Sequence, residues 1–306
     1  MSDQTGPPAP ARTDGRTRAL VVLIGGACAI AFAPVFVRLT GTGPAAAGFW
    51  RLALALPVLA AMATWSGART KATWPSRPSR LTLLAGVLFA LDLGFWHYGI
   101  RFTTVANATI LANLSPVFVT AGAWLMLRER PGRGFLAGLA LALAGTWALA
   151  EGRGGAMVPH PVLGDALSVA TAVWYAAYML TVRYARARIS ATQVMLWSTA
   201  TGAPLLLVAA LALHERVLPS SAAGWWACAG LGAVHVAGQG AIAWALGRLP
   251  AATASVAVLV QPALAAALGW LIFAEPLGPL QMAGGLMALA GVALAQLAAR
   301  RASPGG

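Results

Sequence analysis

One stretch of this chain is written twice. Residues 104–149, laid on residues 250–295 at an offset of 146, give 14 identities in 46 positions without a gap. Alanine and leucine matches carry little weight in so Ala- and Leu-rich a sequence. Pro116/Pro262, Trp124/Trp270, Glu129/Glu275, Gly132/Gly278, Gly138/Gly284 and Gly145/Gly291 carry more, because they hold one register across two apolar helices and the turn between them. The chain is a duplicated unit, and its fold has to be built from two copies of one motif.

The material of that motif is lipid-soluble. The 306 residues are 59% hydrophobic and 9% charged, with a mean hydropathy of +0.73, well outside the range of a domain with a polar shell. Uncharged runs recur throughout, and about 20 helical residues cover the roughly 30 Å of a hydrocarbon core, so each long run crosses once. Short alternating strands, the signature of a membrane barrel, do not occur. The fold class is therefore an all-α polytopic membrane protein with ten spans, at 19–39, 44–66, 81–101, 104–126, 134–150, 163–183, 190–213, 223–246, 251–273 and 279–298. Spans 1–5 form one repeat (18–151) and spans 6–10 the other (161–299). Residues 1–17 are Pro-, Gly-, Ser- and Thr-rich and are expected to be a disordered cytoplasmic tail. Arg16 and Arg18 before the first run resemble the start of a signal peptide, but removal of that run would leave one repeat a helix short.

An odd number of spans per repeat inserts the second copy upside down. The basic residues agree. With the N-terminus in the cytoplasm, sixteen of the 21 Lys and Arg residues lie inside, four (Arg38, Arg101, Arg153, Arg216) lie outside, and Arg51 is within a span. Both termini are then cytoplasmic, in the inner membrane. The net charge of +13 is read as this topological bias, with the lipid bilayer as partner, and not as nucleic-acid binding. Inversion also explains why Arg128-Glu129-Arg130-Pro131-Gly132-Arg133 is rich in arginine and its copy at 274–279 has none. Cys28 and Cys228 fall inside apolar runs, with no disulfide framework and no metal spacing.

Several short motifs sit on this frame: Val105-Ala106-Asn107-Ala108-Thr109-Ile110-Leu111-Ala112-Asn113-Leu114-Ser115-Pro116 and Leu127-Arg128-Glu129-Arg130 in the first half, with Leu249-Pro250-Ala251-Ala252-Thr253, Gln261-Pro262 and Ala274-Glu275 in the second. With two inverted five-helix units, they make the chain resemble the drug/metabolite transporter superfamily, specifically its EamA-type ten-helix permeases. The resemblance covers about residues 19–298. It implies a central cavity between spans 1, 3, 4 and 6, 8, 9, with spans 5 and 10 behind, and substrates drawn from amino acids, sugars, nucleotide-linked metabolites or drugs.

Polar residues deep in apolar helices mark a candidate pathway. Asp92 lies about eleven residues into span 3, roughly 16 Å at 1.5 Å per residue, near the midplane. Arg51 in span 2 is its available cation. Two readings stand: a proton or substrate-ammonium site, or a structural Asp92–Arg51 pair. Trp96, one turn from Asp92, walls the cavity or packs. His97 and Arg101 are expected at the outer interface. Asn107 and Asn113 in span 4, His235 and Gln239 in span 8 and Gln261 in span 9 are candidate cavity-lining groups, or interhelical hydrogen bonds. Trp174 and Tyr178 in span 6 stack on a flat substrate or pack in the core, and Asp165 is expected to cap that helix. Pro116 and Pro262 remove a backbone donor and free the carbonyls near Ala112 and Val258, which predicts a pair of kinks and candidate hinges.

The function these features point to is secondary transport of a small polar metabolite such as an amino acid, by alternating access, with a coupled proton as a possible partner of Asp92. The alternatives are a drug or toxic-cation efflux permease of the same superfamily, and a non-transporting membrane interaction protein. No nucleotide-binding motif, Gly-x-Ser, His-Glu-x-x-His or midplane aspartate pair occurs, so neither primary transport nor intramembrane catalysis is expected. No cofactor and no metal are expected, and ten helices can form a complete pathway as a monomer.

Overall fold

The computed structural model describes residues 13–70, 77–102, 111–151, 160–274 and 278–301, apart from a few side chains near the ends of helices. All regular structure among the described residues is helical. Span 1 is α1 (Thr13–Ile30) and α2 (Ala33–Leu39); span 2 is α3 (Pro44–Ala53) and α4 (Ala55–Thr70); span 3 is α5 (Arg80–Phe102). Spans 4 and 5 are α6 (Ser115–Leu127) and α7 (Arg133–Glu151). Spans 6 and 7 are α8 (Pro161–Ala185) and α9 (Ala191–Ala212). Span 8 is α10 (Ala222–Val234), a π-helical turn (His235–Gln239) and α11 (Gly240–Leu246). Span 9 is α12 (Ala251–Val258) and α13 (Val260–Phe273), and span 10 is α14 (Pro279–Arg301). Eight helical stretches are long and apolar enough to cross a bilayer, and the two shorter apolar helices, Ser115–Leu127 and Arg133–Ala148, stand where spans 4 and 5 are expected. Together these make the ten-helix membrane fold that the sequence predicts.

Two expectations are trimmed. Residues 13–17 of the expected tail belong to α1, while 1–12, like Asn107 and Glu275, lie outside the described residues. Asp165 does not cap span 6: that helix begins at Pro161 with His160 at its N-cap, which places Asp165 beyond the first turn, where no backbone N–H lacks an intrahelical acceptor.

The duplication is visible in the packing. Span 3 lies on span 6 and span 1 on span 8; span 4 lies on span 6 and span 1 on span 9; span 3 lies on span 7 and span 2 on span 8. Each contact becomes its partner when the halves are exchanged, and the contacts of span 2 with 7, 4 with 9 and 5 with 10 map onto themselves. The register survives in atomic detail at the seam between spans 5 and 10. A Cβ on Gly145 would lie 2.2 Å from the Ala288 nitrogen and 2.7 Å from the Gly284 oxygen. One on Gly291 would lie 2.3 Å from the Ala142 nitrogen and 2.8 Å from the Gly138 oxygen. Exchanging the halves at this offset, adding 146 on one helix and subtracting it on the other, turns the first set into the second, and residue numbers rise on one helix as they fall on the other. The two repeat-closing helices therefore run antiparallel, as inversion requires.

The same offset governs the ends of spans 4 and 9. Arg128 and Ala274 both take a left-handed backbone, with φ of 56° and 52°, and their N–H groups bond to the Ala123 and Gly269 carbonyls. Both fourth helices also break at matching places before their prolines, at Asn113–Leu114 and at Leu259. There, short-range bonds from Leu114 N to Leu111 O (3.2 Å) and from Leu259 N to Val256 O (3.1 Å) replace the α-helical pattern. Gly86/Gly232 and Gly94/Gly240 carry the offset back into spans 3 and 8: Gly86 abuts Ser198 and Thr201 of span 7, and Gly232 abuts Leu54 and Ala55 of span 2.

Two glutamates tie one half to the other at opposite ends of the bundle. Glu129, beyond span 4, accepts from the Ala251 N–H (3.0 Å) at the start of span 9 and lies 3.6 Å from the Arg183 guanidinium. Glu215, beyond span 7, accepts from the Ala45 and Ala46 N–H groups (3.2 and 2.9 Å) at the start of span 2 and from the Tyr98 hydroxyl. Each carboxylate sits at the positive end of a helix of the other repeat. At the Glu129 end, Arg186 beyond span 6 donates to the Ala243 (3.0 Å) and Ile189 carbonyls. Burial, and then the neighbouring Arg248, hold its pKa below the ordinary guanidinium value.

Candidate functional site

Buried polar and aromatic residues converge from five spans. Arg51 comes from span 2, Phe89, Asp92 and His97 from span 3, Tyr175 and Tyr178 from span 6, Thr199 from span 7, and His235 and Gln239 from the π-turn of span 8. Arg51, Asp92, His97, Tyr178, Thr199, His235 and Gln239 are all buried. Arg51 and Asp92 lie close enough for their charges to interact, and both also act on Tyr175 and Tyr178. The Arg51 guanidinium also lies over the Phe89 ring, 5.7 Å from its centre. Phe89 in turn touches Tyr178 (4.8 Å between ring centres) and His235 (5.4 Å). Residues 89 and 235 are related by the same offset of 146, so the repeats meet here through equivalent positions.

Local backbone chemistry sets the aim of these groups. The turn at His235–Gln239 bonds i to i+5 instead of i to i+4, which widens the helix and turns both side chains inward together. Glycine permits the bend: the Gly238 backbone runs against Gly26 of span 1, where a Cβ on Gly26 would stand 2.9 Å from the Gly238 oxygen. His235 Nε2 shares a 2.9 Å hydrogen bond with the Thr199 hydroxyl. The Tyr175 hydroxyl lies near the Gln239 side chain. A Cβ on Gly48 would lie 3.9 Å from the His97 ring, which also lies 5.0 Å, centre to centre, from the Trp96 ring.

The site is under-satisfied. Arg51 Nε, both ring nitrogens of His97, Trp174 Nε1, His235 Nδ1, Gln239 Oε1 and, further along span 9, Gln261 Nε2 are buried without a hydrogen-bond partner. Each such group costs about 1–3 kcal/mol when nothing pairs with it, and charged ones cost more. A membrane protein keeps such a set where a solute or water completes it. Among the described residues no group of three or more His, Cys, Asp or Glu side chains is arranged to hold a metal ion.

Of the candidates named from sequence, Asp92, Arg51, Tyr178, His235 and Gln239 come together in this cluster. Trp96 and Trp174 stand beside it, Trp174 edge-on to Phe95 at 6.0 Å. Asn113 lies in the break of span 4, and Gln261 lies in the first turn of α13, two residues past the break of span 9 and next to Pro262. His97 corrects an expectation: instead of facing water at the interface it is 6% exposed, its ring turned toward Gly48 of span 2. Phe89, Tyr175 and Thr199 were not singled out in advance. Phe89 could have been found by subtracting 146 from His235. A lone hydroxyl such as Thr199 in an apolar run carries no signal of its own.

A match to the EamA-like transporter family covers residues 17–150 and again 162–297, one match for each repeat. The chain is similar to the pseudopaline exporter CntI of Pseudomonas aeruginosa, with 27% identity over 213 residues, 68% of this chain and 71% of that protein. It is similar to an uncharacterized transporter of Archaeoglobus fulgidus, 28% identical over 222 residues, 72% of this chain and 77% of that one. A solved crystal structure superposes with a TM-score of 0.77 at 21% identity, covering 94% of this chain and all of that one, which establishes the fold. This chain is a multi-pass membrane transporter, not an enzyme, and it belongs to the EamA-like transporter family.

Proposed function

We propose that the chain exports a small polar metabolite, an amino acid or a related zwitterion, across the inner membrane by alternating access, with both termini in the cytoplasm. The observation that carries this reading is the buried cluster in which Arg51 and Asp92 face one another among unpartnered donors and acceptors. A zwitterion offers a carboxylate to Arg51, an ammonium to Asp92 and hydrogen-bonding atoms to His235 and Gln239. The direction is taken from the Pseudomonas aeruginosa relative, which is named as an exporter. Asp92 is assigned to coupling, as the group whose protonation alternates with substrate, and the breaks beside Pro116 and Pro262 to hinges for the rocking of one repeat against the other.

Efflux of an aromatic-caged cation is the second reading, favoured by the rings of Phe89, Tyr175 and Tyr178 around an acid. It ranks second because the Arg51 guanidinium already lies on the Phe89 face. A metabolite-wide thermal-shift screen, followed by flux in proteoliposomes, separates the two. Zwitterionic hits whose flux falls with His235→Ala and Gln239→Ala support the first reading, and hits confined to quaternary ammonium compounds sink it. Accessibility labelling tests the orientation: probes at Gly132 and Gly278 react from opposite sides, and reaction from a common side would remove the inverted pairing on which alternating access rests.

A further inference from the structure

A cavity lies apart from the buried polar cluster, and none of the cluster residues lines it. It has a volume of about 750 Å³, within the roughly 300–1,000 Å³ usual for small-molecule sites, and opens where the turn after span 4 meets the start of span 9 and the end of span 10. Four arginines line it from separate parts of the chain: Arg16 at the start of span 1, Arg130 and Arg133 around the turn into span 5, and Arg301 at the end of span 10. Arg16 is fixed by a 2.9 Å bond to the Ala299 carbonyl. One acid, Glu129, also lines the cavity, but its two oxygens are engaged by the Ala251 N–H and by Arg183. Four arginines against one carboxylate leave the lining of the cavity net positive.

We propose that this cavity binds the phosphate headgroup of an anionic phospholipid from the adjoining leaflet. Arginine pairs with phosphate through parallel N–H donors, and basic pockets between membrane helices are suited to anionic headgroups. The walls select a lipid over a free anion. Leu294 and Leu297 of span 10 line the cavity and are also among the exposed large side chains of the bundle, 41% and 52% exposed. A headgroup held by the arginines has an apolar path for its acyl chains along these leucines, which a soluble phosphate has no use for. The bound lipid then joins the two repeats at their arginine-rich end, alongside Glu129. This inference stands apart from the substrate of the buried polar cluster.

The test uses the full chain, purified in detergent and stripped of lipid. Thermal unfolding is followed with phosphatidylglycerol, phosphatidylcholine, inorganic phosphate or glycerol phosphate added. Phosphatidylglycerol is expected to raise Tm by roughly 3 °C or more, by preferential binding to the folded state, and the other three to leave it nearly unchanged. Arg130→Gln with Arg133→Gln is expected to weaken the phosphatidylglycerol response about fivefold or more. Equal stabilisation by phosphatidylcholine overturns the charge argument, and equal stabilisation by inorganic phosphate or glycerol phosphate overturns the lipid assignment. Should the double variant fail to fold, a photoactivatable phosphatidylglycerol bound to the unaltered chain decides: cross-links within 130–135 and 294–301 support the site, and cross-links elsewhere reject it.

Discussion

The seam between spans 5 and 10 and the polar cluster between spans 2, 3, 6, 7 and 8 are products of the same duplication put to opposite uses. At the seam the repeats stay alike: Gly138 and Gly145 of one meet the neighbourhood of Gly284 and Gly291 of the other, backbone against backbone. In the cluster they differ. Phe89 faces its own counterpart His235, and positions 146 beyond Arg51 and Asp92 hold Trp197 and Gly238. Small residues that let two helices approach serve equally well in either orientation, so nothing drove that seam to diverge. A solute with unlike ends needs unlike partners, and two identical half-sites cannot supply both an acid and a base. On the proposed function, symmetry is kept where the bundle is scaffold and lost where cargo would bind.

The largest effect separating the two regions lies at the seam. Gly145→Ala and Gly291→Ala each drive a methyl group into backbone atoms at 2.2 and 2.3 Å, which no rotamer change relieves. Overpacking of this kind costs about 3 kcal/mol or more. Both variants should lose the monodisperse, detergent-stable form in size-exclusion chromatography. Gly25→Ala, on a helix with nothing within 4 Å of the added carbon, should be neutral or stabilising by up to about 1 kcal/mol. If all three behave alike, the seam is not the close contact described here.

Asp92→Asn is the corresponding blow to the cluster, and its signature is the reverse: folding retained and function lost. The substitution keeps shape and hydrogen-bonding capacity while removing the charge that Arg51 faces. Substrate flux in proteoliposomes should fall by roughly tenfold or more, equivalent to about 1.4 kcal/mol, and what remains should no longer respond to an imposed proton gradient. Full flux with unchanged gradient dependence would leave Asp92 as a structural partner of Arg51.

The contrast also sets what a reader of the sequence could see. The close approach at the seam and the breaks before Pro116 and Pro262 were legible, because glycine and proline stand at matched positions in two copies, whereas the left-handed caps at Arg128 and Ala274 were not, since neither residue favours that backbone by itself. The cluster was legible only in its charged and amide members. Asp92, Arg51, His235 and Gln239 stand out against apolar neighbours, whereas Thr199 and Tyr175 join through contacts made across the bundle. The π-helical turn at His235–Gln239 was not legible, since His-Val-Ala-Gly-Gln reads equally well as α-helix and the extra residue shows only when Gly238 meets Gly26. His97 was misplaced for a related reason: depth along a helix was readable, and the face it turns toward Gly48 was not.

The smallest effect is the most discriminating, because one substitution can be made in both regions. Thr146, next to Gly145, donates to the Ala142 carbonyl at 3.0 Å, a carbonyl four residues back within its own helix. Thr199 instead shares a 2.9 Å bond with His235, whose other ring nitrogen has no partner. Thr146→Val swaps a locally satisfied hydroxyl for a methyl and should change stability by about 0.5 kcal/mol or less. Thr199→Val leaves the whole His235 imidazole without a hydrogen bond in a buried site and should cost about 1–3 kcal/mol. A bound substrate that pairs with His235 should recover part of that loss, so the Tm gap between Thr199→Val and the unaltered chain should narrow at saturating substrate. A gap that stays constant with substrate would mean that His235 belongs to the scaffold, and that the loss of symmetry at position 235 has no bearing on cargo.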